Sequence, residues 1–183
     1  MTDVTILPVP RAHDGWTVDD LDLLPHDGLR YELLDGTLRV SPPAPNPHNV
    51  LATSLAARLG AALDRSWVVS APGSVRIDER NRREPDVLVV RREGARSAHA
   101  DPADVLLVVE VVSPSSVTDD RLVKPVQYAA AGIPFYWRVE PALPLLLTFA
   151  PDEGSYRETS RFDQQVAVEE PIPIRVDLRD LLV

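Results

Sequence analysis

Cysteine is absent from the chain, which excludes a disulfide framework, a thiolate nucleophile and a zinc–thiolate cluster. Oxygen and nitrogen ligands are what remain. No apolar run approaches the roughly 20 residues that a membrane-spanning helix needs, so a membrane protein is not expected. The segment Met1 to Arg11 carries Asp3 and two prolines in place of a basic region followed by a long apolar core. That is not the pattern of a signal peptide, and a cytoplasmic location is the expectation. No Gly-x-Ser-x-Gly elbow is present, which leaves a serine hydrolase without its nucleophile turn. A Gly/Ser linker, an abrupt shift of composition, an internal repeat and a low-complexity tract are also missing. The 183 residues therefore read as one domain, 1–183, with a core over about 17–140 and C-terminal strands over about 144–183.

Lysine is nearly absent too. Eighteen arginines stand beside a single lysine, Lys124, a skew that fits a coding bias toward arginine. An ammonium is a compact point charge and a guanidinium a wide planar fork, so a position that needs the first cannot be filled by the second. Lys124 is either such a position or a chance survivor of the bias. Positive charge as a whole is in deficit: the formal net charge is −9, with 44% hydrophobic and 26% charged residues. Phosphate binding draws its energy largely from cationic neutralisation, so any nucleic-acid activity has to be local.

Periodicity and turn chemistry give the elements. Thr17 caps a short helix running to about Leu24, with Asp19 and Asp20 in its first turn and Pro25 ending it. Tyr31 to Leu34 and Thr37 to Val40 flank Asp35-Gly36, the signature of a type I′ hairpin. After the Pro-rich loop Ser41 to Pro47, Asn46 is an N-cap candidate with Pro47 at the first helical position. Leu51, Leu55, Leu59 and Leu63 then form the stripe of the longest helix. Trp67 to Ile77 reads as extended and broken at Pro72-Gly73, and Asp86 to Val90 and Val105 to Val112 as buried central strands. The turn Ser113 to Ser116 leads to a helix around Pro125 to Ala131 that stops at Gly132, and Phe135 to Val139 resumes as a strand whose aromatic run Phe135-Tyr136-Trp137 reads as core. Leu145 to Phe149, Tyr156 to Thr159 and Gln165 to Val168 follow as edge strands or a meander, with a helix-like end over Asp177 to Leu182. The fold class is α/β (α+β), with a mixed central sheet flanked by helices and an added antiparallel meander.

Two carboxylates stand where carboxylates are costly. Glu110 has five apolar residues before it and two after it. Buried there it must find an arginine, take a proton or bind a cation, because an unpaired buried charge costs several kcal/mol. Asp86 follows Pro85 at the opening of the preceding apolar strand, where adjacent strands could bring it beside Glu110. A Pro-Asp before a strand is also ordinary turn chemistry. Two carboxylates held close repel each other unless a proton or a divalent ion lies between them, and hard cations such as Mg²⁺ take oxygen ligands.

Three ordered segments carry a family resemblance: Glu-Pro-Asp-Val-Leu-Val-Val, Val-Glu-Val-Val-Ser-Pro-Ser-Ser, and Asp-Arg-Leu-Val-Lys-Pro-Val-Gln-Tyr through Gly-Ile-Pro-Phe-Tyr-Trp. From about Thr17 to Val139 the chain resembles the Uma-two family within the PD-(D/E)XK nuclease superfamily. The resemblance implies a restriction-endonuclease-like core, a Mg²⁺ or Mn²⁺ ion on Asp86 and Glu110, and a lysine near the attacking water. In the superfamily pattern that lysine stands two residues after the glutamate, which here is Val112. Lys124, on the next helix, occupies the matching place in this family, with Tyr128 four residues on. Glu32, in Tyr-Glu-Leu-Leu-Asp-Gly, matches a further element and would add a third carboxylate, or is an ordinary hairpin glutamate. His48, at the start of the long helix, could hydrogen-bond substrate or serve as a base, or simply pack. Phe135 stands where relatives often carry an acidic residue.

The implied reaction is metal-dependent hydrolysis of a phosphodiester in nucleic acid, DNA by the family resemblance, with Lys124 orienting water or stabilising charge on phosphorus. The resemblance also implies a homodimer. Arg76, Arg80, Arg82, Arg83, Arg91, Arg92 and Arg96 cluster around Asp86 as candidate substrate contacts; with five carboxylates interspersed, the formal excess is two positive charges. The competing hypothesis is a catalytically silent nuclease-like module that oligomerises or binds a partner through its Pro-rich C-terminal third. The acidic charge favours that second hypothesis, and the intact Asp86, Glu110 and Lys124 favour the first.

Overall fold

The β-branched runs Val87–Arg91 (β6) and Val105–Val111 (β7) pair antiparallel with Val87 opposite Val109, and they lie at the centre of the molecule in a computed structural model that describes residues 15–181. The signal-peptide reading of Met1 to Arg11 lies outside those residues. Strand β7 pairs in parallel with Phe135–Glu140 (β8), and the crossover between them carries helix α3, Lys124–Ala130. Trp67–Ser70 (β3), Leu145–Asp152 (β9) and Ser155–Asp163 (β10) complete a mixed six-stranded sheet in the order β10-β9-β8-β7-β6-β3.

Because both faces of this sheet are covered, β6 and β7 are apolar at nearly every step, with Glu110 the one charged residue inside β7. On one face Leu51, Leu55 and Leu59 of helix α2, Asn46–Ala62, pack against Val87, Val89, Leu107 and Val109. On the other, Tyr128 and Ile133 join Leu88, Val90, Val108 and Tyr136. The aromatic run divides between the faces: Trp137 is buried on the α2 side, Tyr136 on the α3 side, and Phe135 is partly buried. Truncating a buried leucine such as Leu55 to alanine costs about 2–5 kcal/mol.

A second sheet covers one end. Arg30–Leu34 (β1) and Thr37–Ser41 (β2) form a hairpin in which Asp35 (φ 48) and Gly36 (φ 76) supply the two positive φ angles of a type I′ turn. Val75–Arg76 (β4) and Arg82–Arg83 (β5) extend it in the order β2-β1-β5-β4. The extended segment 67–77 thus splits at Pro72-Gly73 into strands of two different sheets. Strand β5 was not expected, since two residues between loops give no periodic signal.

Other differences are small. Helix α1 is Val18–Leu21, shorter than expected, with the Asp20 carboxylate accepting hydrogen bonds from the Thr17 N–H (3.0 Å) and hydroxyl (2.8 Å). Helix α2 is capped by Pro45 instead of Asn46, one residue earlier than anticipated. Strands β9 and β10 are longer than expected and extend the central sheet as a meander. Gln165–Val168 (β11) and Ile174–Asp177 (β12) form a separate hairpin packed on the α2 side. A 3₁₀ turn, Leu178–Asp180, closes the described chain in place of the helix-like end; Leu182 lies outside the described residues.

Candidate active site

Strand alternation puts Glu110 on the same face of β7 as Val108, toward α3, and there it is wholly buried. Its Oε2 lies 2.8 Å from Lys124 Nζ, and its Oε1 accepts a hydrogen bond from the Tyr128 hydroxyl at 2.8 Å. Burial pushes the Glu110 carboxyl well above the ordinary carboxylate range; the Lys124 ammonium opposes this, while the charges of Asp86 and Asp120 add to it.

Lys124 reaches Glu110 because the chain is already helical before Pro125. Residues Asp119–Val123 form a π-helical turn, and Lys124 continues it at φ −59, ψ −44, donating its N–H to the Asp119 carbonyl. The restriction that a proline places on the preceding residue is overridden here. Lys124 Nζ also lies 2.8 Å from Asp120 Oδ1, one turn back. Burial alone would lower the lysine pKa, but Glu110, Glu32, Asp120 and Asp86 together raise it, so the ammonium stays charged.

Asp86 immediately precedes β6, and the β6–β7 register sets it opposite Glu110. Its Oδ2 accepts the Val111 N–H at 2.8 Å and lies 3.3 Å from His48 Nε2, while its Oδ1 lies 3.3 Å from an Arg30 guanidinium nitrogen. Burial pushes Asp86 up, yet His48, Lys124 and Arg30 outweigh it and hold the carboxyl below its usual value. His48 Nε2 also sits 2.8 Å from the Val111 carbonyl oxygen. Burial pushes the imidazole down, and the Asp86 carboxylate reverses this and raises it.

Glu32 and Arg30 share one face of β1, both directed at this site. Glu32 Oε1 accepts the Glu84 N–H at 2.9 Å, and its Oε2 lies 3.8 Å from Arg83. Arg83, expected as a substrate-binding or supporting residue, has a fully buried side chain, with Nε donating to Gln127 Oε1 (2.7 Å) and an NH group to Asp119 (3.3 Å). Tyr128, expected in the same substrate-binding or supporting role, is fully buried with its hydroxyl on Glu110. The neighbouring arginines are largely spent within the molecule. Arg76 pairs with Asp19, Arg82 with Glu84, and Arg92 with backbone carbonyls, while Arg91 lies over the Trp67 ring.

Asp120 and Arg30 were not among the sequence-derived candidates. The i,i+4 spacing of Asp120 to Lys124 and the i,i+2 spacing of Arg30 to Glu32 were the signals that could have found them. A cleft of about 660 Å³ opens over the site, lined among others by Arg30, Glu32, Arg39, His48, Asp86 and Lys124. Among the described residues no three His, Asp or Glu side chains are arranged to hold a metal ion.

A family model described as "Putative restriction endonuclease" matches residues 18–179. The chain belongs to the Uma2 family. The match takes in the C-terminal strands as well as the three motif segments, so the whole six-stranded sheet is part of the Uma2 pattern. Solved structures agree in fold: one described as a "putative nuclease belonging to DUF820", from Anabaena variabilis, superposes with a TM-score of 0.69 at 16% identity, covering 90% of this chain and 96% of that one. No curated protein sequence matches. Uma2 membership and the restriction-endonuclease-like fold together indicate a nuclease.

Proposed function

We propose that this Uma2 chain is a Mg²⁺- or Mn²⁺-dependent endonuclease that hydrolyses phosphodiester bonds of DNA at the cleft over Asp86, Glu110 and Lys124. The observation that carries the reading is the wholly buried Glu110 carboxylate, held 2.8 Å from the ammonium of the one lysine and facing Asp86 across the strand pair. Asp86, held by His48, Arg30 and the Val111 N–H, sets a second carboxylate beside Glu110 and adds to the charge that pushes Glu110 up. A divalent cation between the two would remove that repulsion, and their oxygens are the hard donors it takes. Asp86, on the cleft wall, would hold the ion with water completing its shell; Glu110, whose oxygens already meet Lys124 and Tyr128, would join from beneath, and Glu32 stands at the rim, the three not being pre-arranged as a metal cluster.

When bound, the ion supplies Lewis-acid polarisation of a phosphoryl oxygen. The chain's own groups do the rest. Of the three ammonium donors of Lys124, one hydrogen-bonds Glu110, while Asp120 lies in ion-pair contact at 2.8 Å, which leaves a donor to orient a water or to meet charge building on phosphorus. Tyr128 fixes the Glu110 carboxylate, and His48 and the Val111 N–H fix Asp86, so neither needs to reorganise during reaction. Arg30 and Arg39, on the cleft wall and ion-paired to Asp86 and Asp119, would be the guanidinium groups that steady a phosphate. A homodimer in the cytoplasm is the assembly and location that fit this reading, and sedimentation of the purified protein checks the first.

The net charge of −9 favours one alternative, a nuclease-like module without activity. Incubation of supercoiled plasmid and of single-stranded DNA with Mg²⁺ or Mn²⁺ separates the two. Cleavage by wild type that disappears in Asp86→Ala supports the endonuclease, whereas cleavage equal in both removes Asp86 from the site. No cleavage by wild type under any of these conditions favours the silent module.

A further inference from the structure

The Asp86 and Arg30 side chains form a partition as well as a wall. Beyond them lies a second cavity of about 450 Å³, which they also line. That volume falls within the roughly 300–1,000 Å³ of pockets that hold small organic ligands. Apart from Glu84, which is ion-paired to Arg82, the rest of its lining carries no charge. Leu29, Pro43, Ala44 and Pro72 give it apolar surfaces. Asn49 and Thr53, one turn apart on α2, bring an amide and a hydroxyl to the same side. The Asn49 amide donates to the Ala44 carbonyl at 2.8 Å, tying the Pro-rich loop to the helix at the rim. Leu29 is 41% exposed, a large apolar side chain left at the opening.

Charge decides what such a pair of cavities can take. A continuous double helix is held chiefly by cations that neutralise its phosphates. Here Arg30, Arg39, Lys124 and His48 share the main cleft with Glu32, Asp86, Asp119 and Asp120, so no surplus of positive charge is on offer. Affinity for a polynucleotide has to come from the bases, whose burial and stacking contribute about 1–3 kcal/mol each. A base has two apolar faces and a rim of donors and acceptors, the complement of a pocket walled by proline and leucine with one amide and one hydroxyl.

We infer that the second cavity receives an unpaired nucleobase of the nucleotide next to the scissile phosphate. The substrate is then a single strand, or an unpaired segment of a duplex, since a base inside a continuous helix would first have to be unstacked and unpaired at a cost of a few kcal/mol. This inference rests on the reading of the main cleft as the phosphodiester site.

The test is binding of a labelled 12-nucleotide DNA, single-stranded or annealed to its complement, followed by fluorescence anisotropy in EDTA so that nothing is cleaved. The single strand is expected to bind at least tenfold tighter than the duplex. Scanning one abasic position along the strand is expected to find a nucleotide whose base is worth several-fold in affinity. Thr53→Trp, at an exposed helix position that fills the pocket, is expected to weaken single-strand binding about tenfold with an unchanged melting temperature. Equal affinity for strand and duplex, no binding of either, or indifference to both the abasic scan and Thr53→Trp would overturn the inference. Cleavage of the same single strand when Mg²⁺ or Mn²⁺ replaces EDTA reports separately on the phosphodiester reading: its absence with binding intact defeats that reading without altering the binding result.

Discussion

Lys124 Nζ and Glu110 Oε2 meet at 2.8 Å at a point where Glu110 is wholly buried and Lys124 nearly so. Asp120 shares the ammonium, so removing it strands two carboxylates in the interior. Breaking a buried pair by deleting one partner typically costs about 3–5 kcal/mol. Lys124→Met is therefore expected to lower stability by about that much in urea denaturation, whereas Lys124→Met with Glu110→Gln recovers a large part of it. A loss below about 1 kcal/mol would mean that the pair is not buried as described.

Tyr128 donates the other hydrogen bond to Glu110 from a fully buried position. Tyr128→Phe keeps the ring in its packing and removes only the donor, leaving Oε1 unsatisfied at a cost of about 1–3 kcal/mol. At about 2–4 °C per kcal/mol for a chain of this size, the melting temperature should fall by roughly 2–12 °C. A melting curve that superposes on wild type would remove Tyr128 as the group that fixes Glu110.

Arg83 tests the distinction between a support and a substrate contact. Arg83→Met deprives Gln127 Oε1 and Asp119 Oδ2 of a donor, Arg39 remaining on Asp119 Oδ1, and should cost about 1.5–3 kcal/mol of stability. Because the side chain is fully buried, the slope of log binding constant against log salt for DNA should stay as in wild type. A direct phosphate contact would lower that slope by nearly one unit.

Away from the site, Asp177 is held down to about 2 by hydrogen bonds from the Arg179 side chain and N–H, against an unfolded value of 3.8. A carboxyl whose folded pKa is depressed contributes stability above its unfolded value and loses it as pH falls through the folded value. The melting temperatures of wild type and Asp177→Asn should therefore differ above pH 3.8 and converge toward about pH 2, with a small separation because the group is exposed. A separation independent of pH would assign the effect to packing.

The sequence made the central sheet legible because its strands are buried on both faces, so Val87 to Val90 and Val105 to Val111 are continuous apolar runs in which Glu110 stands out. The Asp35-Gly36 turn was equally plain. What could not be read was the consequence of irregular backbone. The π turn over Asp119–Val123 has no periodic signature, yet it carries Lys124 past the restriction of Pro125 and brings Asp120 to the same ammonium. Arg83 illustrates the other limit, since a run of arginines reads as a basic surface until the fold buries one of them among Glu32, Asp119 and Gln127.

Nicking of supercoiled plasmid in Mg²⁺ or Mn²⁺, with initial rates compared for wild type and Lys124→Met at a temperature where circular dichroism shows both folded, tests the proposed site most directly. The expected result is a rate at least about 10²-fold lower in Lys124→Met, the size of effect produced by losing one group that stabilises charge in the transition state. A wild-type rate matched by Lys124→Met would contradict a catalytic role for the ammonium beside Glu110.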